Sequence, residues 1–408
     1  MARCNKWNKF PGCPLGMLSF QELCFEVMSR FIDTSEIPSE DLRKTCIGRL
    51  ISRYLCATTN HRAIAKFKVT PKLTILGATS GDTGSAAIAG IQGRKNIDCV
   101  ILYPKDRTSR IQELQMTTTL DENITCIAIN GSFDDCQSIV KSCLNSELKE
   151  LCNLVAANSI NWARILAQMT YFWYAAFRVL EKKNTSLVDF SVPTGNFGNI
   201  LSAFYARKMG APIGNLIIAS NSNNILTQFC GNGAYKVSKV IPTISPAMDI
   251  QVSSNLERFL FDRLNYDGAL IKTKYDCLAN MKEFYIDPED LVNVQREFFS
   301  FYATENETKA AIKHIFLTTN VITDPHTAVG FVCAEKFNAQ VAPVKKNVCV
   351  CVATAHFGKF IDSIREILGD APLEGRMPLE QRDWRSVWIP SLLGKAIDFT
   401  EEIYGDAR

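Results

Sequence analysis

From Leu73 onward, strand-like and helix-like stretches alternate, and that alternation limits the fold more than any other feature of the chain. The β-prone runs are Leu73–Leu76, Cys99–Tyr103, Ile124–Ile129, Leu187–Val192, Leu216–Ala219 and Val348–Val352. Between them apolar residues recur at helical spacing, as in Phe133–Leu144 and Asn161–Leu180. Apolar strands separated by helices pair in parallel, with helices covering both faces of the sheet. The expected class is α/β, with ligands held beyond the carboxyl ends of the strands. Before the alternation begins, Ser19 can cap a helix over residues 18–33, whose apolar face includes Phe20, Leu23, Val27 and Phe31. A second helix is expected from Pro38, with Leu42, Cys46, Ile47, Leu50 and Leu55 on one side. Asn60–Lys72 is basic and weakly patterned and reads as a connector.

The turns that follow several strands carry the chemistry. Leu73–Leu76 runs into Gly77-Ala-Thr-Ser-Gly-Asp-Thr-Gly84, and Ser85 is expected to open an Ala-rich helix. Free N–H groups and the positive end of the helix dipole meet at such a turn and make it an anion site. Ser80 and Thr83 add hydroxyl donors. A phosphate-binding P-loop is excluded, because no lysine lies between Gly77 and Gly93, and the spacing of Gly77, Gly81 and Gly84 does not fit the dinucleotide fingerprint. Phe190-Ser-Val-Pro-Thr-Gly-Asn-Phe-Gly-Asn199 leads into a helix expected over Ile200–Met209, and Gly195 to Asn199 offers consecutive N–H groups to a phosphate. Val348–Val352 runs on into Ala353-Thr-Ala-His-Phe-Gly-Lys-Phe360. Asp324-Pro-His-Thr-Ala-Val-Gly330 opens another helix, with Asp324 as its cap. Three helix-start turns rich in small polar residues, gathered at one end of a sheet, imply a small anionic, phosphorylated ligand.

Composition narrows the class. Lys and Arg number 45 against 42 Asp and Glu, too even a balance for a nucleic-acid or membrane surface. No apolar run approaches membrane-spanning length, and the N-terminal residues lack the apolar core of a secretory signal. The 15 cysteines are odd in number and scattered, as in a chain from a reducing compartment, so a cytoplasmic location is expected. The four histidines show no ligand spacing, so no metal site is expected.

The blocks Gly77-Ala-Thr-Ser-Gly-Asp-Thr-Gly-Ser-Ala-Ala87, Asn158-Ser-Ile-Asn-Trp-Ala-Arg164, Val192-Pro-Thr-Gly-Asn-Phe-Gly198, Ser245-Pro-Ala-Met-Asp-Ile250 and Asp324-Pro-His-Thr-Ala-Val-Gly330 together resemble the threonine synthase family. The resemblance runs from about Ser19 to Asp370. It implies a fold-type-II pyridoxal-phosphate enzyme: two parallel-sheet α/β domains with a cleft between them. The division it suggests is a helical segment and connector at 1–72, a smaller α/β domain at 73–160, a larger one at 161–370 and a tail at 371–408. It also implies conversion of O-phosphohomoserine and water into threonine and phosphate, with pyridoxal 5'-phosphate as cofactor and a small phosphorylated amino acid as partner. Neither a nucleic acid nor a membrane is implied, and the oligomeric state is not legible.

By the same resemblance, Gly195, Asn196, Phe197, Gly198 and Asn199 cradle the cofactor phosphate. The family usually has Asp at the place of Asn199. Thr354 corresponds to the hydroxyl residue facing the pyridine nitrogen, a neutral partner that leaves that nitrogen unprotonated, and Asn158 neighbours the ring. Ser80, Gly81, Asp82, Thr83 and Gly84 correspond to the segment that grips the substrate amino acid. Ser159, Asn161 and Arg164 fall near the substrate phosphate, where a guanidinium suits as a fork donor. Other roles fit the same residues: a surface salt bridge for Arg164, helix caps for Asn158 and Asn161, capping and packing for Asp324 and His326.

One part of the family pattern has no counterpart. A block of the form His-Gly-Pro-Thr-x-Ala-Phe-Lys-Asp, whose lysine bonds to the cofactor, belongs one helix and one strand before Gly77, and no such block occurs. Ile47-Gly-Arg-Leu-Ile-Ser-Arg-Tyr-Leu55 resembles the helix that follows it, as though a segment had been cut out near Cys46/Ile47. Lys68 echoes the lysine's spacing, but the few residues before Leu73 are too short for the intervening helix at about 1.5 Å per residue. No catalytic residue is therefore matched. The chain is either an incomplete version of an active enzyme or a silent paralogue that binds without turnover, and a phospho-lyase on phosphorylated amino acids is a further alternative.

Overall fold

A computed structural model describes residues 72–79, 81–131, 133–156, 162–340 and 347–373 of the 408. The helices expected at 18–33 and from Pro38, the connector before Lys72 and the junction at Cys46/Ile47 lie outside the described residues. Two compact units are present. Trp162–Phe357 falls in one, and the described residues before Asn161, with those from Gly358 on, fall in the other.

The first unit runs β1 (Leu73–Ala78), α1 (Asp82–Ile91), β2 (Ile97–Pro104), α2 (Arg110–Thr117), β3 (Ile124–Ile129), α3 (Phe133–Leu144), α4 (Leu148–Leu151) and β4 (Leu154–Ala156). Its strands lie in the order β3-β2-β1-β4, every pairing parallel. Period-2 alternation sends the side chains of β1 to two cores. Leu73 and Ile75 pack with Ile88, Ile91 and Met116 of α1 and α2. Leu76 packs on the other face with Cys136 and Val140 of α3.

In the second unit α5 (Trp162–Lys182), β5 (Val188–Pro193), α6 (Gly198–Lys208), β6 (Ile213–Ser220) and α7 (Ile225–Asn232) come first. A short β7 (Ala234–Lys236), α8 (Leu256–Arg263), α9 (Gly268–Met281) and β8 (Glu283–Tyr285) follow. The unit ends with α10 (Pro288–Glu297), β9 (Phe299–Tyr302), α11 (Glu305–Thr319), α12 (Pro325–Gln340) and β10 (Val348–Cys351). The parallel sheet has the order β10-β5-β6-β9, and β7 and β8 form a separate antiparallel pair. Every residue of β5 is buried, as both faces are covered. On one face Phe190 meets Phe172 of α5 edge-on at 5.1 Å, within a core that also holds Ile200 and Phe204 of α6. On the other lies α12. It approaches so closely at Gly330 that an added Cβ would stand 2.8 Å from Cys351 Sγ, and Ser191 Oγ donates to the Gly330 carbonyl at 2.6 Å.

Several sequence expectations shift. The helix after β1 starts at Asp82 rather than Ser85, because Thr79 Oγ1 accepts the N–H groups of both Gly81 and Gly84 at 2.9 Å and caps the turn early. The helix after β5 starts at Gly198 rather than Ile200, and β6 begins at Ile213 rather than Leu216. Strands β4 and β7 to β9 have three or four residues each, too few for a periodic signal. The last helix, α13 (Ile361–Leu368), groups with the first unit.

Candidate active site

The carboxyl ends of β5, β6 and β10 lead to the Thr194–Asn199 turn, the Asn221–Asn223 turn and the Ala353–Thr354 segment of the second unit. The first is a candidate anion seat. Ser253 Oγ donates to the Gly195 carbonyl at 2.7 Å, and the Asn255 backbone N–H and Nδ2 donate to the Asn196 carbonyl at 3.1 and 2.9 Å. In a planar trans peptide the next N–H points opposite to the carbonyl. Pinning these two carbonyls on one side therefore turns the N–H groups of Asn196 and Phe197 to the other. The N–H groups of Gly195, Asn196, Phe197, Gly198 and Asn199 have no acceptor among the described residues. Those of Gly198 and Asn199 open α6, whose dipole adds positive potential.

Phe197 makes this shape possible. It holds a left-handed backbone at φ 62°, which costs a non-glycine residue about 1–3 kcal/mol. Its buried ring, 5.7 Å from Phe259 and 5.5 Å from Phe298, offsets that. Gly195 has no room for a side chain: an added Cβ would lie 2.9 Å from the Ala247 carbonyl oxygen and 3.0 Å from Ile250.

That wall, Ser245–Ile250, is tied down through Asp249. Asp249 Oδ1 accepts from Asn221 Nδ2 at 2.7 Å, Asn223 Nδ2 at 2.9 Å and Thr243 Oγ1 at 2.7 Å. Burial still leaves its carboxyl above the usual range, although these donors pull it down.

A second cluster stands at the start of α12. Asp324 accepts from the His326 N–H at 3.0 Å and the Thr327 N–H at 3.4 Å, a cap as the sequence implied. It also accepts from His326 Nδ1 at 3.0 Å, from Thr354 Oγ1 at 3.2 Å and from the Thr327 hydroxyl. Burial raises the Asp324 carboxyl, but the donors from His326 and Thr327 outweigh it and hold the group below its ordinary value. His326 Nε2 accepts the N–H of Ala247 at 3.2 Å. The ring is therefore neutral with its proton on Nδ1, directed at Asp324. Thr354, Asp324, His326 and Ala247 thus form one connected path to the wall of the anion seat. The nearby thiols of Cys349 and Cys351 are pushed up to about 12, chiefly by burial, and are not nucleophiles at neutral pH.

The remaining expected residues divide by location. Arg164 lies two turns from Tyr171 on α5, and its charge acts on that buried hydroxyl, which burial lifts far above its normal range. Tyr171 donates to Asn199 Oδ1 at 2.6 Å, at the edge of the seat. In the first unit, the N–H groups of Gly81 and Gly84 are committed to Thr79, so the turn offers fewer open amides than the sequence implied; those of Asp82 and Thr83 open α1. Ser80, Asn158, Ser159 and Asn161 lie outside the described residues. Sequence reasoning missed Tyr171, Asn221, Ser253 and Asn255, which sit in no recognisable motif. A cleft of about 460 Å³ along β9, lined by Thr227, Cys230 and Lys336 among others, shares no residue with the seat.

A parallel α/β fold with open amides at one strand-to-helix turn is the arrangement expected of a phosphate-binding protein. Residues 52–354 match the model of the family described as pyridoxal-phosphate dependent enzyme, and the chain belongs to that family. Its relatives place it further. It is 36% identical over 426 residues to threonine synthase of Saccharomyces cerevisiae, covering 89% of this chain and 80% of that protein. The crystal structure of threonine synthase from yeast matches with a TM-score of 0.77 at 34% identity, over 94% of this chain and 84% of that one. The structure of pyridoxal-phosphate-bound threonine synthase from Brucella melitensis matches with a TM-score of 0.76 at 33% identity, over 86% and 81%. The fold-type-II expectation and the cofactor expectation hold on these likenesses.

Proposed function

We propose that the chain is built for threonine synthase chemistry, converting O-phosphohomoserine and water into threonine and phosphate with pyridoxal phosphate. The carrying observation is the run of open amides at Gly195–Asn199, whose carbonyls are pinned from behind by Ser253 and Asn255. Bound pyridoxal phosphate supplies electron withdrawal from the substrate α-carbon, which permits proton loss, γ-elimination of phosphate and water addition at the β-carbon. In this reading Gly195 to Asn199 hold the cofactor phosphate, Thr354 faces the ring nitrogen and Asn158 flanks the ring. Ser80 to Gly84 grip the amino acid, while Ser159, Asn161 and Arg164 receive its phosphate, the guanidinium as a bidentate donor. We place the protein in the cytoplasm. Among the described residues no helix is long and apolar enough to cross a membrane.

The family's cofactor-bonding lysine has no counterpart in this sequence, so the chain as written holds the cofactor without that covalent bond and lacks the usual proton carrier. We favour an active enzyme missing a segment near Cys46/Ile47 over a silent paralogue, because the other blocks of the site are nearly intact. Product analysis after incubation with O-phosphohomoserine and cofactor tests the reading. Threonine and phosphate support it, a 2-keto acid with ammonia points to a phospho-lyase, and bound cofactor with no product fits both a missing segment and a silent copy, which the transcript separates. Reading the transcript across codons 46–47 tests the missing segment directly.

A further inference from the structure

The groups that hold the anion seat from behind come from one stretch, residues 245–255. The Ala247 carbonyl and Ile250 crowd Gly195, Ser253 Oγ bonds the Gly195 carbonyl, and Asn255 bonds the Asn196 carbonyl. Apart from a single 3-10 turn at Pro246–Met248, this strap has no helix or strand before α8 begins at Leu256. Side-chain bonds to other parts of the unit fix it instead. Asp249 ties down the first half. Its Oδ1 accepts from Asn221 Nδ2, Asn223 Nδ2 and Thr243 Oγ1, and its Oδ2 accepts the Thr243 backbone N–H at 2.9 Å. Asn221 and Asn223 are themselves buried in the turn after β6. Tyr235 of β7 ties down the second half: its hydroxyl donates to the Gln251 carbonyl at 3.1 Å and accepts the Ser253 N–H at 2.8 Å. The ring is buried and stacks on Phe284 at 5.0 Å, so the hydroxyl has a fixed place.

We propose that Asp249 and Tyr235 are positioning residues for phosphate recognition: by clamping the strap at two points they keep the seat's amides aimed at one anion, and so set the chain's preference for a phosphorylated ligand. This rests on the reading that the seat holds the cofactor phosphate. Neither side chain hydrogen-bonds a residue of Gly195–Asn199, so both act through the strap. The physical link is the peptide plane. Each carbonyl bonded from behind fixes the direction of the N–H that follows it, and donors already aimed at an anion bind it without the cost of being ordered. A strap free to shift lets the Gly195 and Asn196 carbonyls turn, and the amides lose their common target. Asp249→Asn leaves one oxygen for four donors, and the new amide meets at least one N–H head-on. Tyr235→Phe leaves the Ser253 N–H without its acceptor. The ring of the ligand makes no use of these amides, so only the phosphate's share of the binding depends on the clamp.

The test titrates the full chain with pyridoxal phosphate and with pyridoxal and reads the ratio of the two affinities, which a loss of stability alone does not move. A control comes from the other end of the sheet. Asp189, near the amino end of β5, is a buried carboxylate that accepts from the Asn215 N–H at 2.7 Å, Asn215 Nδ2 at 3.1 Å and Asn347 Nδ2 at 2.8 Å. Asp189→Asn therefore disturbs a similar set of bonds without touching the strap. The expected result is that Asp249→Asn and Tyr235→Phe each lower the preference for the phosphate form by about tenfold or more, with pyridoxal affinity held within about twofold. Asp189→Asn lowers the urea midpoint and keeps the wild-type ratio. A wild-type ratio in Asp249→Asn overturns the inference, and so does an equal fall in Asp189→Asn, which would make the effect a general loosening. No preference in the wild type itself overturns the underlying reading of the seat instead. Should Asp249→Asn not fold, the ratio in Tyr235→Phe decides by the same criterion.

Discussion

The backbone N–H of Ala247 donates to Nε2 of His326 at 3.2 Å, across 79 residues of sequence. Through this bond the wall that closes over Gly195 and the cluster that holds Thr354 form one unit. The His326→Ala variant loses the bond to Ala247 and strips the buried Asp324 carboxylate of a charge-assisted donor, at an expected cost of about 2–3 kcal/mol. Urea unfolding reads this cost, and cofactor affinity should fall with it. An unchanged midpoint would mean the bond carries no load.

Two glycines of the seat should respond in opposite ways to the same added methyl group. Gly195→Ala drives a Cβ against the Ala247 carbonyl at 2.9 Å, an overpacking expected to cost about 1–3 kcal/mol. At Gly198 the nearest atoms are Asn255 Nδ2 at 3.4 Å and Ile165 at 3.6 Å, ordinary contact at the first position of a helix. Gly198→Ala should be neutral or stabilising by a few tenths of a kcal/mol. Thermal melts of the two variants side by side give the comparison.

Phe197→Ala should be the most destabilising change in the turn, at about 3–5 kcal/mol. It removes a fully buried ring while leaving a left-handed residue that is still not glycine. A loss below about 1 kcal/mol by denaturant titration would mean the aromatic cluster does not support the turn.

Much of this was legible beforehand. Parallel strands followed by turns of small residues can be read from Val188–Asn199 and Val348–Thr354, because apolar runs and glycine punctuation are local signals. The cap at Asp324 was legible for the same reason. What stayed hidden is long-range: nothing near Ser253 or Asn255 says that they pin the carbonyls of Gly195 and Asn196, 58 and 59 residues earlier. Tyr171 is likewise an apolar-stripe residue until its hydroxyl is seen on Asn199. Thr79 misled in the other direction, since its side chain occupies amides that a glycine-rich turn would otherwise leave open.

Asp324 sets a pH dependence with a definite sign. Its carboxyl is held below the value of an unfolded aspartate, about 3.9, so its ionised form contributes stability that is complete above that pH. The contribution disappears as pH falls through the lower, folded value. The stability difference between wild type and Asp324→Asn should therefore be constant from about pH 5 to 7 and shrink below about pH 4. Urea unfolding at a series of pH values checks this, and a difference that grows on acidification would contradict it.

The account depends on the amides of Gly195–Asn199 holding a phosphate, and one titration addresses that most directly. Pyridoxal phosphate and pyridoxal, which differ only in that group, are each titrated against the full chain by absorbance and against Gly195→Val. The account predicts that the phosphate form binds the wild type about 100-fold more tightly or better, close to 2.7 kcal/mol, and that Gly195→Val removes most of that preference. Equal affinity for the two compounds, or a preference that survives Gly195→Val intact, would contradict it.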